Sequence, residues 1–590
     1  MSRFIVTARQ SMLIAGLIQG FVMLGLHEWI KSKGFDVSDL LYLAPLYTLA
    51  VLGPLTFNFL RAEFSGRQSF IYASLISGVL ALTAAWFGWS CETQTAPQLY
   101  QSANYIAGLW IFSFVSAVIW FHILPFAQSR LRRSEPVFSY SGLFEDAWRN
   151  LLLLANCFVF SGIFWALLGL WAGLFEVLKI EFFSDLFTTR YFVYLATAMS
   201  VSVAVSLEDK EASALVTIRR YLLAVQARLL PLAAFIVLLF LATLPFSGLQ
   251  RLWDTGSATA LMLGLQYAVI ILTNAVWQDG KQPLPFSSLT RSFIRIALIA
   301  LPVLALLCVW ALNLRIGQYG WTIDRVWAAI LVAFISLYAA AYCAAAVRSG
   351  WLQSLGRLNT AIALLVIATL LAVHTPLLDP QRISASSQIS RLLTGKVAAS
   401  DFDYEYLRFN LGRAGVTALR ELEKIEHQAE AETIRSKATA ALNMQSQSGM
   451  QALQHVPSQQ EITARINLYP KGTAIDLAFV EAVHQRMQDG NYDYYSRALR
   501  DGKEPVAVLA VDLNKDGAPE YIVLKEPFAV FSKQGQQWRL IGNIGFNHND
   551  TTHGKALEQA TANADFAVVP RQWSDLRIGG FEGKLQLENQ

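Results

Sequence analysis

The sequence predicts a mostly α-helical chain: a polytopic transmembrane domain of about eleven spans followed by a smaller extracytoplasmic α+β domain. Three observations carry this. Apolar stretches of about 20 residues, the length that crosses a hydrocarbon core, recur through the first two-thirds of the chain. Of the 590 residues, 54% are hydrophobic and only 15% charged, against about 25% charged in an ordinary soluble domain. Beyond His374–Pro380 the composition turns abruptly polar.

The apolar stretches lie at about 11–30, 41–60, 69–90, 105–125, 150–176, 191–207, 221–245, 257–277, 293–314, 324–347 and 358–377. The sixth is short. After the first come His27, Glu28 and Trp29 rather than a small-residue cleavage site, so it reads as an uncleaved anchor. The aromatic residues (12% of the chain) are as abundant as expected where aromatic belts meet headgroups. With the N-terminus inside, the inner segments hold fifteen Lys and Arg and the outer loops seven. Cationic loops stay in the cytoplasm, so this bias sets the orientation, and an odd number of spans places the rest of the chain outside. Cys91, Cys157, Cys308 and Cys343 are far apart and give neither a disulfide framework nor a metal or redox pair. The net charge of +4 is not concentrated on a soluble face and excludes a nucleic-acid partner.

The domains read as 1–377, transmembrane; 378–460, an extracytoplasmic helical segment and linker; and 461–590, α+β. Within 386–444 apolar residues recur at helical spacing between charges, and 445–460 is rich in Gln and Ser. A helix over 476–488 is stopped by Asp489 and Gly490. Runs of alternating β-branched and aromatic residues follow: PVAVLAV, EYIVL and the hairpin pattern FAVFSKQGQQWRLIG.

The run SSQISRLLTGKVAASDFDYEYLRFNLGRAGVTALREL, placed after a polytopic region, resembles the bacterial membrane-protein family filed as domain of unknown function 4153. The resemblance is sharpest over about 386–422 and implies an inner-membrane location. The family carries no assigned activity, so the resemblance transfers no catalytic residue.

The strongest candidate site is AVDLNKDGAPEYI. Asp512, Asn514, Asp516, the carbonyl of Ala518 and Glu520 occupy positions one, three, five, seven and nine of a calcium-type loop, with Gly517 at the sharp turn. Hard cations need several oxygens converging from one short loop, and this spacing supplies them. Position twelve is Val523 and strands flank the loop, so it resembles the strand-loop-strand calcium loops of propeller-type repeats rather than an EF-hand. The alternative is a polar hairpin turn needing no metal. His548, Asp550 and His553 form a weaker metal-like set without a further strong ligand.

Ionisable residues within apolar runs are costly and so become candidates: His27, Glu28, His122, Glu176 and Arg228, with Asn156, Gln266 and Asn274 as uncharged companions. Most lie within a turn or two of a helix end, where anchoring at headgroups accounts for them. Gly16/Gly20 and Gly169/Gly173 have the spacing that lets helices approach closely. Gly280 suits a helix C-cap. Phosphate-binding, nucleophile-elbow, zinc-protease and dinucleotide motifs are missing, which argues against the commoner enzymes.

Three functions remain in order. The first is an envelope protein whose membrane domain anchors a calcium-stabilised domain that binds an envelope protein or glycan. A transporter or channel is second, supported by Pro45, Pro54 and Pro231. A membrane glycosyltransferase or lipid-modifying enzyme is third, with Asp36 and Asp39 in a first outer loop short for such a site.

Overall fold

The computed structural model describes residues 7–33, 39–91, 103–133, 138–247, 258–278, 280, 285–348, 352–426, 430–443, 457–488, 499, 505–524, 528–535, 537–546, 566–569, 575–578 and 581–587. The chain divides into two compact units, 1–438 and 439–590.

In the first unit the apolar runs become helices α1 (Ala8–Lys33), α2 (Leu40–Arg61), α3 (Gly66–Cys91), α4 (Ala103–Arg132) and α5 (Tyr140–Val177). A short aromatic turn, α6 (Phe182–Thr188), leads to α7 (Arg190–Ser206) and α8 (Glu208–Ser247). Then come α9 (Ala258–Trp277), α10 (Ser288–Tyr319), α11 (Ile323–Val347) and α12 (Leu355–Val373). Ten of these are long and apolar enough to cross a bilayer, and the sixth predicted span, α7, has 17 residues. Their outward faces are apolar, with Leu82 72% and Phe158 73% exposed. That is the inverse of a soluble surface and the pattern lipid requires. Helices α2 and α8 run unbroken through Pro45, Pro54 and Pro231, so the prolines produce no discontinuous helix.

Two cores hold the bundle. One is built from α1–α5 and α7 around Leu60, Leu80, Ile119 and Leu124, the other from α8–α12 around Leu298, Leu301, Leu304 and Ala339. Helix α12 joins them, since Val366 packs against both. Hydrophobic attraction does not drive helices together inside lipid, so packing and hydrogen bonds must. Gly16 lies against Ser202 and Ala198, and Gly20 against Leu195 and Tyr194, so α1 and α7 touch nearly backbone to backbone in antiparallel order. Asn58 donates to Ser202 Oγ at 2.9 Å and ties α2 to the same seam. Gly169 and Gly173 have nothing within 4 Å of a built Cβ, so that pair makes no such approach among the described residues.

At the end where α1 begins, Arg132 holds Asp146 through two bonds (2.9 and 2.6 Å) and Glu63 through two more (3.2 and 2.8 Å). Arg149 also pairs with Glu63, so one ionic cluster joins the turn after α2 to the ends of α4 and α5. At the other end a helical layer covers the bundle: α13 (Pro380–Leu393), a π-helical turn (Tyr406–Asn410) and α14 (Gly412–Glu423), followed by α15 (Ala431–Asn443). Helix α13 starts because Asp379 accepts from the Gln381 and Arg382 N–H groups and Pro380 occupies the first turn. The layer is bonded to the bundle: Gln388 donates to the Tyr319 and Trp321 carbonyls (3.1 and 2.8 Å), and Arg391 to Gly317 and Gln318 (3.2 and 2.6 Å).

The second unit is a mixed sheet with a helix on one face. Its elements are α16 (Gln459–Ala464), β1 (Ile466–Tyr469), α17 (Leu477–Gln488), β2 (Val506–Val511), β3 (Glu520–Val523), β4 (Phe528–Gln534), β5 (Gln537–Phe546), β6 (Phe566–Val569), β7 (Asp575–Ile578) and β8 (Phe581–Leu587). Strand order is β1-β2-β3-β4-β5-β8-β7-β6, parallel only between β1 and β2. Alternation sends Val506 and Val508 toward α17, where they meet Phe479, Val480 and Val483. Ala507 and Leu509 point the other way, to a second core with Val530, Ile544, Leu576 and Ile578. Residues of β2 and β7 share that core although five strand steps separate them, so the sheet curls over itself.

The glycine contrast is testable. Gly20→Leu drives a side chain into Leu195, 2.9 Å from the built Cβ, and should destabilise the detergent-purified protein by about 1–3 kcal/mol. Gly169→Leu should leave the thermal unfolding temperature nearly unchanged. Equal effects of the two would contradict the seam.

Candidate functional site

The register Val511↔Glu520 closes the β2–β3 ladder and leaves 512–519 as the connecting loop. Lys515 (φ 62) and Gly517 (φ 89) both adopt the left-handed conformation, which is what lets eight residues reverse within so short a span. Leu513, fully buried, pins the loop to the core. The short polar side chains fold the loop around themselves. Asp512 Oδ2 accepts from the Gly517 N–H (3.0 Å), Asn514 Oδ1 from the Asp516 N–H (2.9 Å), and Asp516 Oδ1 from the Ala518 N–H (2.8 Å). The Asn514 amide donates to Asp516 Oδ2 at 2.8 Å.

Glu520 stands apart from these. It is 2% exposed on β3, where Oε2 accepts from the Leu513 N–H (2.8 Å) and Oε1 from the Ser532 hydroxyl (3.2 Å). The structure therefore brings Asp512, Asn514 and Asp516 onto one rim, with Ala518 joined through its N–H, and sets Glu520 beneath them. Among the described residues no three His, Cys, Asp or Glu side chains form a group able to hold a metal ion. One atom is left over: Asp512 Oδ1 is buried and has no hydrogen-bond partner. A carboxylate oxygen removed from water without a donor is costly, and a cation is one way to satisfy it.

The electrostatics of the loop run in two directions. Burial pushes the Glu520 carboxyl above its ordinary 4.5, and the charges of Asp516 and Asp512 push it the same way against two hydrogen bonds. The Ala518 N–H, then the Asn514 amide, hold Asp516 below its ordinary 3.8. The Glu520 contribution to stability is therefore complete below about pH 4.5 and declines as pH rises through its raised value. The Asp516 contribution is present above about 3.8 and is lost as pH falls below that.

The ionisable residues of the apolar runs lie on α1, α4, α5 and α8. Glu28 pairs with Arg190 at 3.6 Å, and His27 Nδ1 meets the Tyr194 hydroxyl at 3.1 Å, both along the α1–α7 seam. His122 Nδ1 contacts the Val118 carbonyl at 2.8 Å within its own helix. Glu176, Arg228 and Asn156 are exposed on the apolar surface. Gln266 is buried, donating to the Met262 carbonyl at 3.2 Å. Gly280 adopts φ 77 beneath Trp277, as the end of α9 requires. Asp39 stands at the start of α2; Asp36, and the set His548, Asp550 and His553, lie outside the described residues.

Asn274 alone of the predicted polar set enters a network. The Tyr342 hydroxyl lies 2.8 Å from Asn274 Oδ1, to which it donates, and 3.1 Å from Asn359 Oδ1, while Asn359 Nδ2 donates to Asn274 Oδ1 (2.8 Å) and the Tyr140 hydroxyl (3.2 Å). It joins α5, α9, α11 and α12. Sequence reasoning missed its other three members because no local spacing relates residues on four helices.

Fold and site together define a multi-pass helical membrane protein carrying a small α+β unit. Residues 46–422 match the family described as Domain of unknown function (DUF4153), and the chain belongs to that family. No curated protein and no solved structure matches the chain.

Proposed function

We propose that the chain is a bacterial inner-membrane protein that anchors a calcium-stabilised α+β unit on the periplasmic side, where that unit binds an envelope protein or glycan. The observation that carries the calcium part is the buried, partnerless Asp512 Oδ1 on a rim shared with Asn514 and Asp516. A calcium ion there would take Asp512, Asn514, Asp516 and the Ala518 carbonyl, with the amide of Asn514 turned to present its oxygen. Glu520, at position nine, would act through water, the usual arrangement at that place and the one its two existing hydrogen bonds favour.

The orientation rests on the fifteen-to-seven bias of Lys and Arg and on counting α7 as a crossing. Its antiparallel course along α1, from Ser202 at Gly16 to Arg190 at Glu28, supports that count. Eleven crossings then put the two ends of the chain on opposite sides.

A fragment of residues 444–590, beginning after α15, should melt at a higher temperature in calcium than in chelator. Binding to the folded state alone adds about 2.7 kcal/mol at a hundredfold excess over the dissociation constant. Asp516→Ala should remove the difference while Gly517 still makes the turn, and magnesium should substitute poorly because its small octahedral shell suits such a loop badly. In chelator the melting temperature should fall as pH rises from about 4.5 through the raised Glu520 value. Identical melting of the wild-type fragment in calcium and chelator would make the loop a polar hairpin turn. For the orientation, a reporter active only in the periplasm should work when fused after Gln590 and fail after Arg220; the reverse would remove one crossing.

A further inference from the structure

The helical layer of the first unit encloses a cleft of about 930 Å³ between α13, α14 and the end of α3. Three guanidiniums line it: Arg382, Arg413 and Arg420. Arg413 is fixed, donating to the Trp89 carbonyl at 3.0 Å with its cation 4.6 Å from the Trp89 ring. Arg382 and Arg420 are exposed. The acids on the wall are Asp379 and Glu421, and Asp379 is 4% exposed and committed to capping α13. Ser386 and Ser390 add hydroxyls, whereas those of Thr394 and Thr417 donate to the Ser390 and Arg413 carbonyls of their own helices. Cationic and wide, such a wall suits phosphate oxygens, which Arg recognises in bidentate fashion.

The cleft does not end there. Arg382, Ser386 and Ser390 also line a smaller opening of about 600 Å³, whose far wall is Trp321 and Ile383. Those two residues also line a groove of about 380 Å³ along α11 and α12. That groove is apolar, lined by Ala333, Phe334, Leu337 and Leu365 among others. Shared lining residues thus lead around α13 from the guanidinium-lined cleft to the apolar groove. We propose that this path binds an anionic phosphate-ester amphiphile: the phosphate sits between Arg382 and Arg420, and an acyl chain lies in the α11–α12 groove. Charge complementarity selects the head, and the apolar groove favours a lipid over a soluble phosphate ester.

The test uses the full-length protein in detergent, with retained lipid counted by native mass spectrometry. The probes are phosphatidylglycerol, phosphatidylcholine with the same acyl chains, and free glycerol 3-phosphate as a competitor. Wild-type protein should retain at least threefold more phosphatidylglycerol than phosphatidylcholine. The double variant Arg382→Gln/Arg420→Gln, both at exposed positions, should bring that ratio close to one, whereas Arg382→Lys should largely keep it. Ala333→Trp, which fills the groove from an exposed position, should reduce retention of phosphatidylglycerol. Equal retention of the two lipids by wild-type protein, or an unchanged ratio in the double arginine variant, would overturn the proposal. If glycerol 3-phosphate displaces the lipid at equal concentration and Ala333→Trp has no effect, the lipid source is overturned.

Discussion

A helix that ends at the edge of a bilayer leaves its last four carbonyls without intrahelical partners. In this chain carbonyls at two such ends, one at that of α3 and several at that of α10, are bonded by one polar segment, and the far end of the bundle is organised by that arrangement. Arg391 and Gln388 bond the carbonyls of Gly317, Gln318, Tyr319 and Trp321, and Arg325 adds Gly320 at 2.8 Å. Arg413 takes Trp89. These charged donors meet exposed carbonyls, where water competes and each bond contributes about 1 kcal/mol or less, and a cation at a helix C-terminus is further favoured by the helix dipole. These donors lie in the SSQISR and LGRAG runs, so the stretch that carries the family resemblance is the stretch that closes the bundle.

Close approach does the rest. Gly412 (φ 48) sits directly against the Ser90 carbonyl, and Gly415 against the Leu407 carbonyl, where no side chain fits. The π-helical turn between α13 and α14 swings Tyr406 to the start of α11, where its hydroxyl accepts from the Ile323 N–H at 3.1 Å and meets Ser384 Oγ at 3.1 Å. The fully buried Arg408 is the cost of that turn: burial lowers its pKa, and Arg420 lowers it further. A layer fixed in this way belongs to the membrane unit, and one of its caps, Arg413, also lines the cationic cleft beside Arg382 and Arg420.

The apolar runs were legible because a bilayer imposes a length and a composition on every crossing, and the hairpin strands because alternation shows wherever two faces are buried. The cap was legible only as helices. Nothing local in Gln388 or Arg391 says that its partner is a carbonyl some seventy residues earlier. Strand β1 (INLY) and strands β6 to β8 escaped notice for a different reason: β1, β6 and β7 have four residues each, too few for period two to stand out, and in the seven of β8 Gly583 interrupts the apolar alternation. In the loop, spacing correctly marked Asp512, Asn514 and Asp516 as neighbours. It did not show that Glu520 faces inward, because strand parity decides that and the turn length sets the parity.

The most direct test of the closure is hydrogen exchange on the full-length protein with Gly412→Val, which places a branched side chain against the Ser90 carbonyl. In the wild type the amides of Gly412–Glu423 should exchange as slowly as those of the membrane helices. In the variant they should exchange at least tenfold faster, while those of Leu477–Gln488 in the second unit stay unchanged. Fast exchange of α14 in the wild type, or no change in the variant, would contradict a cap built into the membrane unit.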